Sequence, residues 1–290
     1  MRLSTRLRTM LAEPEIVVLP GAYDALTARL AERAGFSAVF TTGFGFAATV
    51  LGVPDYGLLT MSETMDRVRH IVRTLTVPLV ADMDTGYGNP LNVVRTVREC
   101  VALGVAGIIL EDQEWPKKCG HFEGKRVIPA EEQAAKLRAA ADARSGDDLV
   151  IIGRTDARQP LGLEEAIRRG RLYRDAGADV VFVEAPRSVD ELREVARAIP
   201  DAPLFANMIE GGKTPLLSSA ELQEIGYKMV VYPLSALFSA TKAVEATYRA
   251  LFEAKTTASQ QAAMVSLGEF EEIIDVPSWQ ELERRYVAEP

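Results

Sequence analysis

The chain has 290 residues, 48% hydrophobic and 26% charged, enough to bury a sizeable core as one large domain or two small ones. A net charge of -8 disfavours nucleic acid and anionic membrane as partners, since both need clustered positive charge, and an anionic substrate would need cations gathered locally. No apolar run approaches the roughly 18 residues of a membrane span, the N-terminus lacks a leader's apolar stretch and cleavage site, and two cysteines make no disulfide framework, so a cytoplasmic location is expected.

In chain order, short β-branched runs fall at 16–20, 38–42, 78–84, 107–112, 149–156, 180–185, 203–208 and 228–233. Amphipathic helical patterns lie between them, such as YDALTARLAERAG, SETMDRVRHIVRTL and LEEAIRRGRLYRDAG. The runs are nearly all apolar, as strands buried on both faces of a parallel sheet are. Gly ends three of the helical patterns, in AGF, LGVAG and AGADV. Eight such units predict an α/β fold, a closed (β/α)8 barrel of TIM type. The alternative is a doubly wound open sheet, but no Gly-x-Gly-x-x-Gly follows the first strand. No Ser/Gly-rich linker interrupts 1–250, so 1–290 reads as a single domain. Its barrel covers about 16–250, and extra C-terminal helices over about 251–290 are expected to pack on a partner subunit.

A barrel of this type builds its site at the C-terminal ends of the strands, and here those ends are polar. They carry Thr42-Gly43, Asp82-Met83-Asp84, Glu111-Asp112, Arg154-Thr155-Asp156, Glu184 and Asn207. Asp82 and Asp84, two apart on one strand, should face the same side. With Glu111 from the next strand they form an acidic cluster that would repel itself without a hard cation. All-oxygen ligation points to Mg2+ or Mn2+. Zinc is disfavoured, because His70 and His121 are the only histidines and neither has ligand spacing to a cysteine. Asp55, in the loop after the second strand, could support the waters of such a metal. Arg154 offers a planar fork for a substrate carboxylate or phosphonate, unless Asp156 or Glu184 takes it as an internal ion pair. Thr42 and Gly43 could hold a second anionic group.

The segment 113–129 is long for a βα loop, as lids are, and is expected to be open or mobile without substrate. It gathers Cys119, His121 and four basic residues, Lys117, Lys118, Lys125 and Arg126. Lys117, Lys118 and His121 predict a lowered pKa for Cys119. Cys100 lies in a helical pattern and reads as packing.

The motifs ADMDTGYGN, IILEDQ, KKCGHFEGK, GRTDAR, FVEA and NMIEGGKTP, in this order, resemble the isocitrate lyase/phosphoenolpyruvate mutase superfamily over about 16–250. KKCGH resembles the branch holding 2-methylisocitrate lyase, 2,3-dimethylmalate lyase and carboxyphosphonoenolpyruvate mutase. The resemblance implies a barrel with helices swapped between subunits, Mg2+, and a homotetramer built as a dimer of dimers. It also implies metal ligation around Asp82, Asp84 and Glu111, with Asp55 as outer support. Cys119 would be the acid of a lyase, grouped with Lys117 and His121, and Arg154 would hold a substrate carboxylate. Thr42, Gly43, Phe44, Gly120, His121, Glu184 and Asn207 match substrate-side positions. Two departures stand out: Phe40 lies where 2-methylisocitrate lyases carry a tyrosine, and Phe44 replaces a glycine. HFEGKRVIP and NMIEGGKTP are closer to the dimethylmalate lyase and phosphonomutase types, which weighs against a tricarboxylate. The expected activity is retro-aldol cleavage of a small 2-hydroxy di- or tricarboxylate to a 2-oxo acid and a carboxylate. A phosphonomutase, an oxaloacetate decarboxylase and a non-catalytic metal-holding barrel are the alternatives.

Overall fold

The computed structural model describes residues 1–287. Eight parallel strands close on themselves: β1 (Val17–Ala22), β2 (Val39–Thr41), β3 (Leu79–Asp82), β4 (Gly107–Glu111), β5 (Val150–Thr155), β6 (Val180–Val183), β7 (Leu204–Asn207) and β8 (Met229–Tyr232). Each of the eight predicted runs supplies one strand, and the open-sheet alternative is excluded. β1 pairs with β8 from Val17↔Met229 to Pro20↔Tyr232, so no edge remains unpaired. The longest ladder joins β4 to β5 and sets Glu111 beside Arg154 at the C-terminal ends.

The longer helices of this part are α1 (Leu3–Ala12), α2 (Ala25–Arg33), α3 (Met61–Thr74), α4 (Pro90–Leu103), α5 (Ala130–Ala143), α6 (Leu163–Asp175), α7 (Val189–Ala198) and α8 (Ser219–Ile225). Local chemistry fixes their ends. Asp24 with Thr27, Thr60 with Glu63 and Asn89 with Asn92 form reciprocal N-terminal caps, and Pro90 opens α4, where its missing N–H costs nothing. α4 stops at Gly104, whose φ of 80° a side chain would resist. Cys100, on α4, is fully buried in the layer between strands and helices, and burial pushes its thiol up to about 12, as a packing residue requires.

The strand interiors form a separate core of Val17, Leu19, Phe40, Ile109, Phe182 and Phe205. Leu7 of α1 belongs to it and is fully buried. Arg8 beside it donates to the carbonyls of Asp148 and Leu149, just ahead of β5, and to Asp179, just ahead of β6. α1 therefore plugs the N-terminal end of the barrel and leaves the other end as the mouth.

The chain divides into two compact units, Met1–Ala236 and Leu237–Pro290. The division falls earlier than the composition change near 251, because β8 is followed almost directly by a 20-residue helix, α9 (Ser235–Ala254). The second unit adds α10 (Leu267–Ile273) and α11 (Val276–Tyr286). Among the described residues no helix is long and apolar enough to cross a membrane.

Candidate active site

The strand ends and the segment 113–129 line a narrow cavity at the barrel mouth. Thr42, Phe44, Asp55, Asp82, Lys117, Cys119, Gly120, His121, Arg154, Glu184 and Asn207 line it, so most of the residues singled out in the sequence come together. Phe40, Phe182, Phe205, Ile209, Val231 and Leu234 form an apolar wall that strand patterning could not distinguish from ordinary core.

Of the three carboxylates expected around a metal, two converge. β3 ends at Asp82, and the chain turns through Asp84, whose φ of 48° carries it out of the strand. Strand alternation is thus not what brings the pair together. A Cβ built on Gly43 would sit 3.0 Å from Asp82 Oδ2 and 3.4 Å from Asp84 Oδ1, so both face the bare backbone there. Glu111 is turned toward Arg154, with Oε2 3.4 Å from Nε. Among the described residues no three acidic, His or Cys side chains gather closely enough to form a metal cage by themselves. Cationic side chains stand in their midst instead. Lys117 Nζ lies 2.7 Å from Asp55 Oδ1 and 2.8 Å from Asp84 Oδ1, all three side chains buried. Asp55 is thus a direct partner of the loop lysine.

The donor set nevertheless fits a hard cation. Burial, helped by Asp82 and Asp55 and opposed by Lys117, pushes the Asp84 carboxyl up to about 7. Burial also raises Glu111 well above the carboxylate range despite Arg154. Glu111 Oε1 is buried without a hydrogen bond, and Asp84 Oδ1 has only the Lys117 ammonium, 2.8 Å away. Oxygens in that condition gain from an added positive charge.

The segment 113–129 is folded over the mouth, where the sequence leads one to expect an open or mobile lid. Tertiary contacts sort its four cations. Lys117 and Lys125 are buried and ion-paired, Lys117 as above and Lys125 with Asp156 at 2.8 Å. Lys118 leans over the Tyr56 ring, and Arg126 pairs with Glu114 in solvent. The predicted lowering of the Cys119 pKa is reversed. Burial pushes the thiol up to about 11, outweighing the His121 backbone N–H and a Lys117 ammonium already engaged by carboxylates. Cys119 therefore holds its proton at neutral pH.

Arg154 meets both of its suggested internal partners and still faces the cavity. Its Nε lies 2.8 Å from Asp156 Oδ2, and its Nη2 lies 3.1 Å from Asp156 Oδ1 and 3.1 Å from Glu184 Oε2. Burial opposes ionisation of Glu184, but Arg154 and His121 overcome it and hold the carboxyl well below its usual range. His121 Nδ1 accepts the Lys213 N–H at 2.9 Å, so Nε2 carries the ring proton. That Nε2 lies 3.3 Å from Glu184 Oε1, and Asn207 Oδ1 is buried without a hydrogen bond. Thr42 Oγ1 caps a short helical turn by accepting the Gly45 N–H. Behind the site Asp112 accepts from Thr155, the Asp156 N–H, Arg169 and Tyr173. Nothing in the sequence distinguished Lys125, Asp112 or Asp156 as structural; their roles depend on which distant partner each one meets.

The phosphoenolpyruvate phosphomutase family matches residues 7–252. The chain is 45% identical over 286 residues to 2,3-dimethylmalate lyase of Eubacterium barkeri, covering 99% of both chains. It is 46% identical over 289 residues to chloroplastic carboxyvinyl-carboxyphosphonate phosphorylmutase of Arabidopsis thaliana, covering 98% of this chain and 85% of that one. The solved structure of oxaloacetate acetylhydrolase with the inhibitor 3,3-difluorooxalacetate matches with a TM-score of 0.94 at 34% identity, covering 99% of this chain and 98% of that one. Phosphonopyruvate hydrolase in complex with oxalate and Mg++ matches with a TM-score of 0.89 at 30% identity, covering 99% of this chain and all of that one.

Proposed function

The chain belongs to the phosphoenolpyruvate mutase/isocitrate lyase superfamily and is an enzyme of it, and from that premise we propose that it is a Mg2+-dependent carbon–carbon lyase acting on a small substituted malate. The observation that carries this reading is the placement of the Cys119 thiol, buried in the wall of a cavity that also exposes Asp82 and Arg154. A retro-aldol cleavage needs an acid for the carbanion it releases, and a thiol pushed up to about 11 is an acid that keeps its proton until then.

Asp82, Asp84 and Glu111 would hold the divalent cation, whose chemistry there is to acidify the substrate 2-hydroxyl and stabilise the carbonyl that replaces it. Arg154, oriented by Asp156 and Glu184, binds a substrate carboxylate. His121, held 3.3 Å from Glu184 Oε1 through Nε2, faces the substrate, and Asn207 offers its free Oδ1. The C2–C3 bond would break with its electron pair passing to C3, the 2-hydroxyl proton would pass to water, and C3 would take the Cys119 proton, the thiolate then regaining one from solvent. The products are a 2-oxo acid and a carboxylate. The cavity's cations are all engaged by protein carboxylates and its far wall is apolar, which supports an alkyl-substituted dicarboxylate over a tricarboxylate.

Cys119→Ala should lower cleavage of the accepted malate by at least about 100-fold, the usual weight of a positioned acid. Mg2+-dependent oxalate binding should survive the change. Near-normal cleavage would remove Cys119 from this role. The 46% identity to a phosphorylmutase favours a second reading, phosphonate P–C bond chemistry on the same site. A panel of substituted malates, oxaloacetate and phosphonopyruvate-type substrates with Mg2+, read by carbonyl assay and phosphorus NMR, separates the two.

The proposal extends to assembly as a homotetramer with swapped C-terminal helices, in the cytoplasm. In the second unit Tyr248, Phe252, Leu267 and Trp279 are each at least 67% exposed, a pattern that supports burial against another copy. Light scattering at the monomer mass of 31.7 kDa would refute it.

A further inference from the structure

Lys125 is the one buried cation of the loop that does not touch the cavity; neither it nor Asp156 lines the mouth. Its side chain is 1% exposed. The ammonium lies 2.8 Å from Asp156 Oδ1 and also donates to the Gly120 carbonyl. Asp156 is not free to move. Its N–H is held at 2.8 Å by Asp112 Oδ1, and Asp112 is fixed in turn by Arg169 and Tyr173 of α6. A stiff chain of contacts thus runs from α6 through Asp112 to the Asp156 carboxylate and divides there. One branch holds Arg154, which faces the cavity; the other holds Lys125, which reaches back to Gly120.

Gly120 is where the loop lies against the strand ends, since a Cβ there would collide with Arg154 and Glu184. The peptides on either side carry Cys119 and His121, the proposed acid and a substrate contact. Cys119 N–H donates to the Asp55 carbonyl at 3.1 Å, and Phe122 N–H to the Cys119 carbonyl at 2.9 Å, so the tip is a compact turn with Gly120 inside it.

We propose that Lys125 is a positioning residue that latches the closed loop and, through the carboxylate it shares with Arg154, sets loop closure and the Arg154 fork together. A neutral side chain at 125 would leave the Gly120 carbonyl without its ammonium donor and Asp156 with one cation fewer. Both groups are satisfied by water only when the loop opens, so opening becomes more favourable. The apparent affinity for anything bound under the loop then falls by the fraction that remains closed. Saturating substrate draws the loop shut again, so KM rises while kcat falls much less. This deepens the lyase reading and rests on it for what closes under the loop; the closure itself is measured without substrate.

The decisive measurement is hydrogen exchange of the 117–122 amides in the full chain without added ligand, comparing wild type with Lys125→Met. The Lys125→Met/Asp156→Asn double variant is the second test, because it leaves no buried carboxylate short of a cation and so guards against simple misfolding. Exchange at 117–122 should rise about tenfold or more in both, while β5 and α6 exchange as in wild type. For Lys125→Met, oxalate affinity in the presence of Mg2+ should weaken by the fall in the closed fraction, and KM for the accepted malate should rise by that same ratio with kcat within a few-fold. Unchanged loop exchange in a folded variant overturns the proposal, as does a rise spread evenly through the barrel or a fall in kcat at constant KM. If wild type turns over no substituted malate, the lyase reading fails while the exchange result still decides the latch.

Discussion

The two ends of the barrel treat their charges in opposite ways: the mouth buries them, and the plugged end keeps them partly exposed. At the plugged end, Asp179 receives Arg8 Nη1 and Nη2 at 3.0 Å each, Arg144 Nη1 at 2.6 Å and the Ile151 N–H at 2.8 Å. None of its oxygens lacks a hydrogen bond. At the mouth, Glu111 Oε1 and Asn207 Oδ1 are buried without one, and Asp84 Oδ1 and His121 Nε2 each meet a single charged neighbour, Lys117 and Glu184. A complete set of partners stabilises the fold; an incomplete set costs about 1–3 kcal/mol per group and is kept where a ligand completes it. The same barrel therefore separates stability from function along its axis, as parallel barrels do.

The comparison breaks most visibly if a mouth carboxylate proves structural. Asp84→Asn should lower kcat/KM by at least about 100-fold, or about 2.7 kcal/mol of transition-state stabilisation, while leaving the folded state about as stable. The pH dependence sharpens this. Burial raises the folded Asp84 carboxyl to about 7 from 3.8, so its stabilising contribution is present below the unfolded value and is lost as pH rises through about 7. In denaturant titrations without metal, wild type should lose stability relative to Asp84→Asn between about pH 4 and pH 7. Added Mg2+ should reduce that loss. Parallel pH profiles would mean that Asp84 is not the strained carboxylate assigned here.

The smaller effect belongs to the plugged end. Asp179→Ala strips two arginines and a backbone N–H of their acceptor and should lower unfolding free energy by about 2–3 kcal/mol, with KM unchanged. A variant as stable as wild type but poorer in substrate binding would invert the assignment of the two ends.

Much of this was legible in the chain. Eight β-branched runs with helical patterns between them give the barrel, because strand and helix periods are local and the closed parallel sheet is what eight such units form. The polar strand ends marked the mouth, and KKCGH with its neighbours marked the loop over it. α1 went unread, although Leu3, Leu7, Met10 and Leu11 carry helical spacing, because an arginine-rich first segment raises the question of a leader before that of a plug.

Three things were decided only by the tertiary structure. The loop's four basic residues are alike in sequence, yet two are buried in ion pairs and two stay outside, a choice made by the carboxylates each can reach across the fold. Cys119 has cations beside it in sequence, but its acidity follows from burial, which depends on the loop lying closed. Asp82 and Asp84 converge through a left-handed turn at Asp84, a backbone state that the pattern of a strand does not announce. The sequence determined periodicity and residue chemistry, both short-range properties. Proton affinity and pairing inside the mouth are set by solvent exclusion and by partners from distant segments, and only the closed barrel brings those to one place.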